Sequence, residues 1–211
     1  MKTRVVVIDD HVSIRQMLAV VLAGQGPYEV VGEAGTGFEA LKVCRKLNPR
    51  LIVLDLVLPE LNGVEVLRTL RGEMRDSRFM VYSGALSRVL IAEALQARPH
   101  GFVHKSDSLA TFCEALRAVT SGCCYFTPFA TKLMDEERYA PRVASELTAR
   151  ERAVLQMVAE GMSNKEMAGR LGIAAKTVEH HRAKLMEKLD LHDVARLTRY
   201  AVRLGVVPGE A

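Results

Sequence analysis

Carboxylates follow two apolar stretches of the sequence, each typical of a strand buried on both faces of a parallel sheet. Asp9 and Asp10 end the stretch 4–10, and Asp55 lies near the end of the stretch 51–56. Open α/β folds place their ligand sites at the carboxyl ends of such strands. An aspartate after a strand often only caps the next turn, so for Asp55 taken alone this alternative stays open.

Two further apolar stretches end in a polar group that could face the same site. The stretch 79–85 contains Ser83, and the stretch 101–105 ends in Lys105. If these strands are neighbours in one sheet, three carboxylates, a hydroxyl and an ammonium group converge on one edge. Three like charges are unfavourable there without a cation, and oxygen ligands suit magnesium, which takes one or two protein carboxylates and keeps several waters. The sequence therefore predicts a magnesium site at this edge.

The elements that would position these groups alternate along residues 1–121. A weakly alternating stretch, 28–34, gives one more strand. Apolar spacing and capping residues predict five helices, over residues 11–23, 36–47, 64–70, 87–97 and 109–121. Strand and helix alternate five times, so we predict an α/β domain with a five-stranded, doubly wound parallel sheet. Between the Asp55 strand and the third helix, Asn62-Gly63 is typical of a turn, and Gly63 would supply unusual backbone angles.

A connector over residues 122–145 separates this domain from an all-α one over residues 146–211. A short helix is expected at 128–134, and polar composition with Pro141 places a flexible hinge at 135–144. Beyond it, Thr148 and Glu151 form a capping box. Four helices are predicted, over residues 148–160, 163–171, 175–189 and 193–204. Two short helices joined by a tight turn at Gly172 form a helix-turn-helix.

This arrangement resembles a response-regulator receiver domain of the flavodoxin-like fold, followed by a LuxR-type helix-turn-helix. Together the two parts are similar to the NarL/FixJ subfamily of two-component transcription factors. The resemblance rests on Asp9, Asp10, Asp55, Ser83 and Lys105, which lie at the ends of four strands, and covers nearly the whole chain. It implies a transcription regulator that is controlled by phosphorylation and has no turnover substrate. It also implies that the helix over residues 193–204 pairs two copies.

The resemblance further implies a role for each group. Asp55 would accept a phosphoryl group from a sensor histidine kinase. Asp10, Asp55 and the backbone carbonyl of Val57 would bind Mg²⁺ directly, with Asp9 acting mainly through water. Lys105 and Ser83 would contact the phosphoryl oxygens. Phe102, three residues before Lys105, occupies the family's switch position, and rotation into space vacated by Ser83 would change the surface near the fourth and fifth helices.

Several alternatives compete with these roles. Lys105 could form only a structural ion pair with Asp55, and Phe102 could be ordinary core. Phosphatases of the haloacid-dehalogenase type also phosphorylate an aspartate at a strand end, but they carry a second aspartate two residues later, where this chain has Val57. A regulator that has lost phosphorylation would not be expected to keep the complete acidic set.

The resemblance also implies that the helix over residues 175–189 enters the DNA major groove. The expected contacts are Lys165, Lys176, Thr177, Glu179, His180, Ala183 and Lys184. The lysines and Thr177 would meet phosphates, whereas Glu179 and His180 could read base edges. Relatives often carry lysine at the position of Glu179, so their DNA sequence cannot be transferred. The alternative is that these residues only form the solvent-exposed face of a small helical bundle.

Composition restricts the remaining possibilities. The net charge is +4, with 15 basic and 13 acidic side chains in residues 1–119 and 11 and 9 in residues 146–211, so charge alone does not reveal a nucleic-acid partner. The sequence shows no signal peptide and no membrane span, which indicates a cytoplasmic protein. Cys123-Cys124 could form a strained vicinal disulfide, but buried thiols are expected instead. DNA, a sensor kinase and a second copy after phosphorylation are the expected partners, and RNA polymerase is a further candidate.

Overall fold

The computed structural model describes residues 2–137 and 147–207. In the first range, strands and helices alternate from the start. The strands are β1 (Thr3–Ile8), β2 (Tyr28–Ala34), β3 (Leu51–Leu54), β4 (Arg78–Ser83), β5 (Gly101–His104) and β6 (Tyr125–Phe126). The helices between and after them are α1 (Val12–Gly24), α2 (Gly37–Leu47), α3 (Gly63–Glu73), α4 (Arg88–Gln96), α5 (Leu109–Thr120) and α6 (Pro128–Glu137).

The sheet is parallel throughout, in the order β2-β1-β3-β4-β5-β6. Alternate residues of each strand enter two different cores, as the twofold period of a strand requires. Val5 and Val7 pack with α1 and α5, while Val6 and Ile8 pack with α2, α3 and α4. Helices therefore cover both faces, and the polar strand ends meet at one edge.

The prediction of five strands is wrong by one. Tyr125–Phe126 extends the sheet as β6, in parallel register with Gly101 and Phe102 of β5. A two-residue strand is too short to show alternation, which is why the sequence pattern left these residues in the connector. The helix α6 follows directly and runs through Glu137. The first three residues of the predicted hinge are therefore helical, and the rest of it, 138–144, lies outside the described residues.

Four helices form the second described range: α7 (Ala149–Ala159), α8 (Asn164–Leu171), α9 (Ala175–Leu189) and α10 (Val194–Leu204). Thr148 and Glu151 make both bonds of the predicted capping box, and Ser163 with Glu166 makes a second one. Gly172, at φ 63°, ends α8 and begins the tight turn into α9. Within the described residues, no helix is both long and apolar enough to cross a membrane.

Local details also differ from the sequence-based expectations. Helix α3 continues to Glu73, three residues beyond the predicted end. Asn62 caps α3 rather than forming a turn with Gly63, since its Oδ1 accepts from Val64 N–H (3.0 Å) and Glu65 N–H (3.1 Å). Cys123 and Cys124 are free thiols, as expected, but they are exposed rather than buried, because they lie in the turn between α5 and β6.

Candidate functional site

The sheet edge brings the predicted charged groups into direct contact. Asp55 follows β3, and its N–H donates to the Ile8 carbonyl of β1 (2.9 Å), which places it beside Asp9. The Lys105 Nζ lies 2.7 Å from Asp9 Oδ2 and 2.5 Å from Asp55 Oδ2. The Ser83 hydroxyl donates to Asp55 Oδ1 (2.5 Å). Four strand ends thus contribute to one hydrogen-bonded cluster.

Burial and charge oppose each other in this cluster. Burial raises the pKa of Asp9, and this outweighs the hydrogen bond from Lys105, which lowers it. Burial also disfavours the charge on Lys105, but the neighbouring Asp55 and Asp9 carboxylates raise the pKa of the ammonium group overall. Two carboxylates and one ammonium leave a net negative site, which favours binding of a further cation.

Asp10 lies at the outer side of the same edge, where it is exposed. Its Oδ1 is 2.6 Å from His11 Nδ1, and the His11 backbone N–H donates to Asp9 Oδ1 (3.0 Å). Ligand atoms of Asp9, Asp10 and His11 all lie within 4.8 Å of one another. Carboxylate oxygens at this spacing fit a hard cation that keeps most of its waters. His11 therefore both begins α1 and restrains the acidic pair.

Val57 and Phe102 have different environments. Val57 is partly buried, and its N–H donates to Asp55 Oδ1 (3.2 Å), so its peptide group is tied to the aspartate. Phe102 is fully buried within the larger hydrophobic core. In this conformation Phe102 occupies an inner position while Ser83 already contacts Asp55.

A loop of residues 56–62 connects Asp55 to α3, and Gly63 closes it. The Gly63 N–H donates to the Leu56 carbonyl (2.8 Å). A Cβ on Gly63 would lie 2.0 Å from the Asp55 carbonyl oxygen. Glycine is required here because the start of α3 touches the backbone of Asp55, and not because of an unusual φ as the sequence suggested.

The predicted DNA-reading face of α9 is open to solvent. Val178 and Leu185 are buried in the helical core, and the predicted inward residue Leu189 is partly buried. The predicted contact residues are all exposed: Lys176, Thr177, Glu179, His180, Ala183 and Lys184 on α9, and Lys165 on α8. Arg182 Nη1 donates to Asn164 Oδ1 (2.6 Å), which fixes α9 against α8.

Comparisons with known proteins agree with both parts of the structure. Residues 5–117 match the family described as response regulator receiver domain, and residues 145–201 match bacterial regulatory proteins of the luxR family. The transcriptional regulatory protein UhpA of Escherichia coli is 35% identical over 92% of this chain and 95% of its own. LiaR of Bacillus subtilis, also a transcriptional regulatory protein, is 31% identical over 95% of this chain and 97% of its own.

The chain belongs to the NarL/FixJ family of response regulators. Its fold is also found in RcsB of Salmonella enterica, solved bound to promoter rprA with the phosphomimetic BeF₃⁻. That similarity has a TM-score of 0.64 at 20% identity and covers 95% of this chain and 98% of the other. The chain thus combines a receiver domain with a LuxR-type DNA-binding domain.

Sequence reasoning missed the side chains that join the receiver to the DNA-binding domain of this response regulator. Arg152 Nε lies 2.7 Å from Glu65 Oε1, and Arg170 Nη2 lies 3.0 Å from Glu60 Oε1. Gln156 is fully buried between the two domains. The sequence contained a sign of this contact, because Gln156 is the one polar residue in the apolar run 153–159. A helix that is apolar on several sides is expected to be buried on several sides.

Proposed function

We propose that this response regulator is a DNA-binding transcription regulator controlled by phosphorylation of Asp55. The single observation that carries the proposal is the contact of Asp55 with Ser83 and Lys105 at the sheet edge. We assign residues 1–121 to the receiver, 122–145 to a connector whose β6 extends the receiver sheet, and 146–211 to the DNA-binding domain. The family is regulatory, and we propose no turnover substrate.

In the proposed reaction, an Asp55 carboxylate oxygen forms a bond to phosphorus while the bond between phosphorus and the donor's leaving group breaks. The leaving group keeps the bonding electron pair. Catalysis of this kind needs positioning and charge neutralisation more than covalent help. The Lys105 ammonium and the Ser83 hydroxyl, both already in contact with Asp55, would bind phosphoryl oxygens.

The donor set at this edge fits magnesium. Asp10 and Asp55, with the Val57 backbone carbonyl, would hold the ion, and Asp9 would act mainly through water. Bound Mg²⁺ would neutralise charge on the phosphoryl oxygens. The exposed Asp10 leaves room for the several waters that magnesium retains.

The expected partners follow from the two domains. A sensor histidine kinase would supply the phosphoryl group, and DNA would bind the exposed face of α9. One copy offers a single recognition helix, whereas two copies on a symmetric site would roughly double the contact free energy. We therefore propose that phosphorylation promotes a homodimer, with RNA polymerase as a further candidate partner, and that the protein acts in the cytoplasm where its DNA lies.

Phosphorylation can be tested with acetyl phosphate and purified protein. We expect one added phosphoryl group by intact-mass spectrometry, only with magnesium, and none in Asp55→Asn. Labelling of Asp55→Asn at the normal rate would show that the acceptor is a different residue. Ser83→Ala should take up phosphoryl but lose the gain in dimer fraction and DNA affinity, measured by sedimentation and DNA titration of the same samples.

DNA recognition can be tested by selecting bound DNA from random sequence, with and without phosphorylation. Lys176→Ala and Lys184→Ala should each weaken binding to all sequences alike and lower the slope of log K against log salt by about 1. Phosphorylated wild-type protein that stays monomeric and binds DNA no better would contradict the proposed switch.

A further inference from the structure

The loop that follows Asp55 is held by a side chain of the DNA-binding domain. Gln156 of α7 is fully buried, and its amide group bonds to two backbone groups of the loop. Its Nε2 donates to the Leu58 carbonyl (2.7 Å), and its Oε1 accepts from the Asn62 N–H (2.8 Å). Because both partners are backbone groups, these bonds fix the path of the loop rather than the identity of its side chains.

The residue that follows α7, Glu160, holds the middle of the same loop. The Glu60 N–H donates to both carboxylate oxygens of Glu160, at 3.0 and 3.1 Å. Glu60 has φ 69°, a left-handed conformation that residues other than glycine rarely adopt. Gln156 Nε2 also donates to Glu160 Oε1 (2.8 Å), which orients that carboxylate. The loop is therefore held in an unusual conformation by groups from the other domain.

Two ion pairs also join this part of the receiver to the DNA-binding domain. The buried carboxylates of Glu60 and Glu65 meet Arg170 and Arg152 of the DNA-binding domain. Thr36 donates a further hydrogen bond to Glu60 Oε2 (3.0 Å). Because Gln156 is fully buried, a hydrogen bond here that loses one partner leaves the other unsatisfied.

The held loop is connected to the phosphorylation site through one peptide group. Val57 directly precedes Leu58, and its N–H donates to Asp55 Oδ1 (3.2 Å). A phosphoryl group on Asp55 would turn one carboxylate oxygen into a bridging oxygen and bring three new acceptors to this place. The Val57 peptide would have to adjust, and the Leu58 carbonyl would move with it.

We propose that Gln156 is a positioning residue of the phosphorylation site, supplied by the DNA-binding domain, and that it holds loop 56–62 in the geometry of unphosphorylated Asp55. This inference rests on the proposed function. Docking of α7 then lowers the affinity of the site for a phosphoryl group, and phosphorylation weakens the docking of α7. By thermodynamic linkage, the two equilibrium constants change by the same factor. Ser83 already contacts Asp55 and Phe102 is already buried in the docked conformation, so the loop adds a second route, besides Ser83, by which phosphorylation would act.

The test is the affinity of the full-length protein for trifluoroberyllate, a phosphoryl mimic, in saturating magnesium, measured from bound signals in ¹⁹F NMR spectra. Gln156→Ala should bind the mimic about 5- to 30-fold more tightly than the wild type, as expected for the loss of one or two buried hydrogen bonds that favour the unbound state. Gln156→Glu keeps the size and one acceptor but cannot donate to the Leu58 carbonyl. It should show the same gain.

Gln16, an exposed glutamine of α1, provides a matched control, and Gln16→Ala should bind the mimic like the wild type. Equal or weaker binding by both Gln156 variants would overturn the inference, as would wild-type affinity in Gln156→Glu, since Gln156 would then only fill space. If the wild type itself binds no mimic and takes up no phosphoryl group, the proposed function fails instead.

Discussion

The Lys105 ammonium group lies between two buried carboxylates, and replacing it should expose how they are stabilised. Lys105→Met keeps most of the apolar stem and removes the charge that contacts Asp9 and Asp55 at 2.7 and 2.5 Å. Removing one partner of a buried ion pair costs roughly 3–5 kcal/mol, but the Lys105 side chain is 18% exposed and partly screened. We therefore expect a loss of roughly 2–4 kcal/mol in the free energy of unfolding at pH 7 without magnesium.

Magnesium should reverse much of that loss. A ligand that binds only the folded state stabilises it by about 2.7 kcal/mol at a concentration of 100 times Kd. In Lys105→Met no ammonium group competes for the carboxylates, so magnesium should bind more tightly and raise the stability of the variant more than that of the wild type.

Acid should also reduce the difference between Lys105→Met and the wild type. Burial already raises the pKa of Asp9, and loss of the ammonium would raise it further. A carboxylate with a raised pKa takes up a proton more readily in the folded state, so the unfavourable charge is relieved as pH falls. The deficit of the variant should therefore be smaller at pH 5 than at pH 7.

Urea unfolding followed by far-ultraviolet circular dichroism, with and without magnesium, measures these effects. Arg45→Ala is the control, because Arg45 and Glu73 form an ion pair with both side chains well exposed. It should cost less than about 1 kcal/mol and show no added response to magnesium. A Lys105→Met protein as stable as the wild type in metal-free buffer, or one that gains no more from magnesium, would refute the reasoning.

Three further predictions concern other parts of the molecule. His100 Nδ1 accepts a hydrogen bond from the Phe79 N–H, and burial and nearby arginines lower the pKa of His100 to about 4. The stabilising contribution of His100 is therefore complete above pH 6.5 and is lost as pH falls towards 4. Between pH 7 and 5, the free energy of unfolding measured in urea titrations should fall by about 1 kcal/mol more in the wild type than in His100→Asn. Gly205→Ala should weaken docking of α10 and enlarge the radius of gyration in X-ray scattering, because φ is 77° and the new Cβ would lie 2.2 Å from that of Ser87; unchanged scattering would contradict this. Glu179→Ala should relax preference at one base pair by roughly 1–3 kcal/mol in binding selections, and an unchanged selected sequence would mean that Glu179 only faces solvent.

Much of the fold and the composition of the sheet-edge site could be predicted because both depend on local patterns. Strands buried on both faces appear as continuous apolar runs, so the sequence alone places Asp55 and Lys105 at strand ends. Caps such as Thr148 and Ser163 are equally visible, since a hydroxyl and a glutamate three residues later satisfy each other's backbone groups. These signals need no knowledge of distant contacts.

The remainder could not be predicted because it depends on contacts between distant parts of the chain. The two residues of β6 become a strand only by pairing with β5. The requirement for glycine at position 63 comes from the approach of α3 to the Asp55 backbone, which no local pattern shows. Gln156 bonds to Leu58 and Asn62, which lie more than 90 residues away in sequence.

The docked arrangement limits how phosphorylation could control DNA binding. The receiver contacts α7 through Gln156 and holds the end of α10, where the Ser87 hydroxyl donates to the Leu204 carbonyl (2.8 Å). Lys176 and His180 on α9 nevertheless remain exposed. Docking therefore leaves the side chains predicted to contact DNA exposed. Docking does restrain α7 and the end of α10. The family resemblance implies that two copies pair through α10. Release of that helix would therefore change the number of copies bound to DNA rather than the exposure of α9 in each copy.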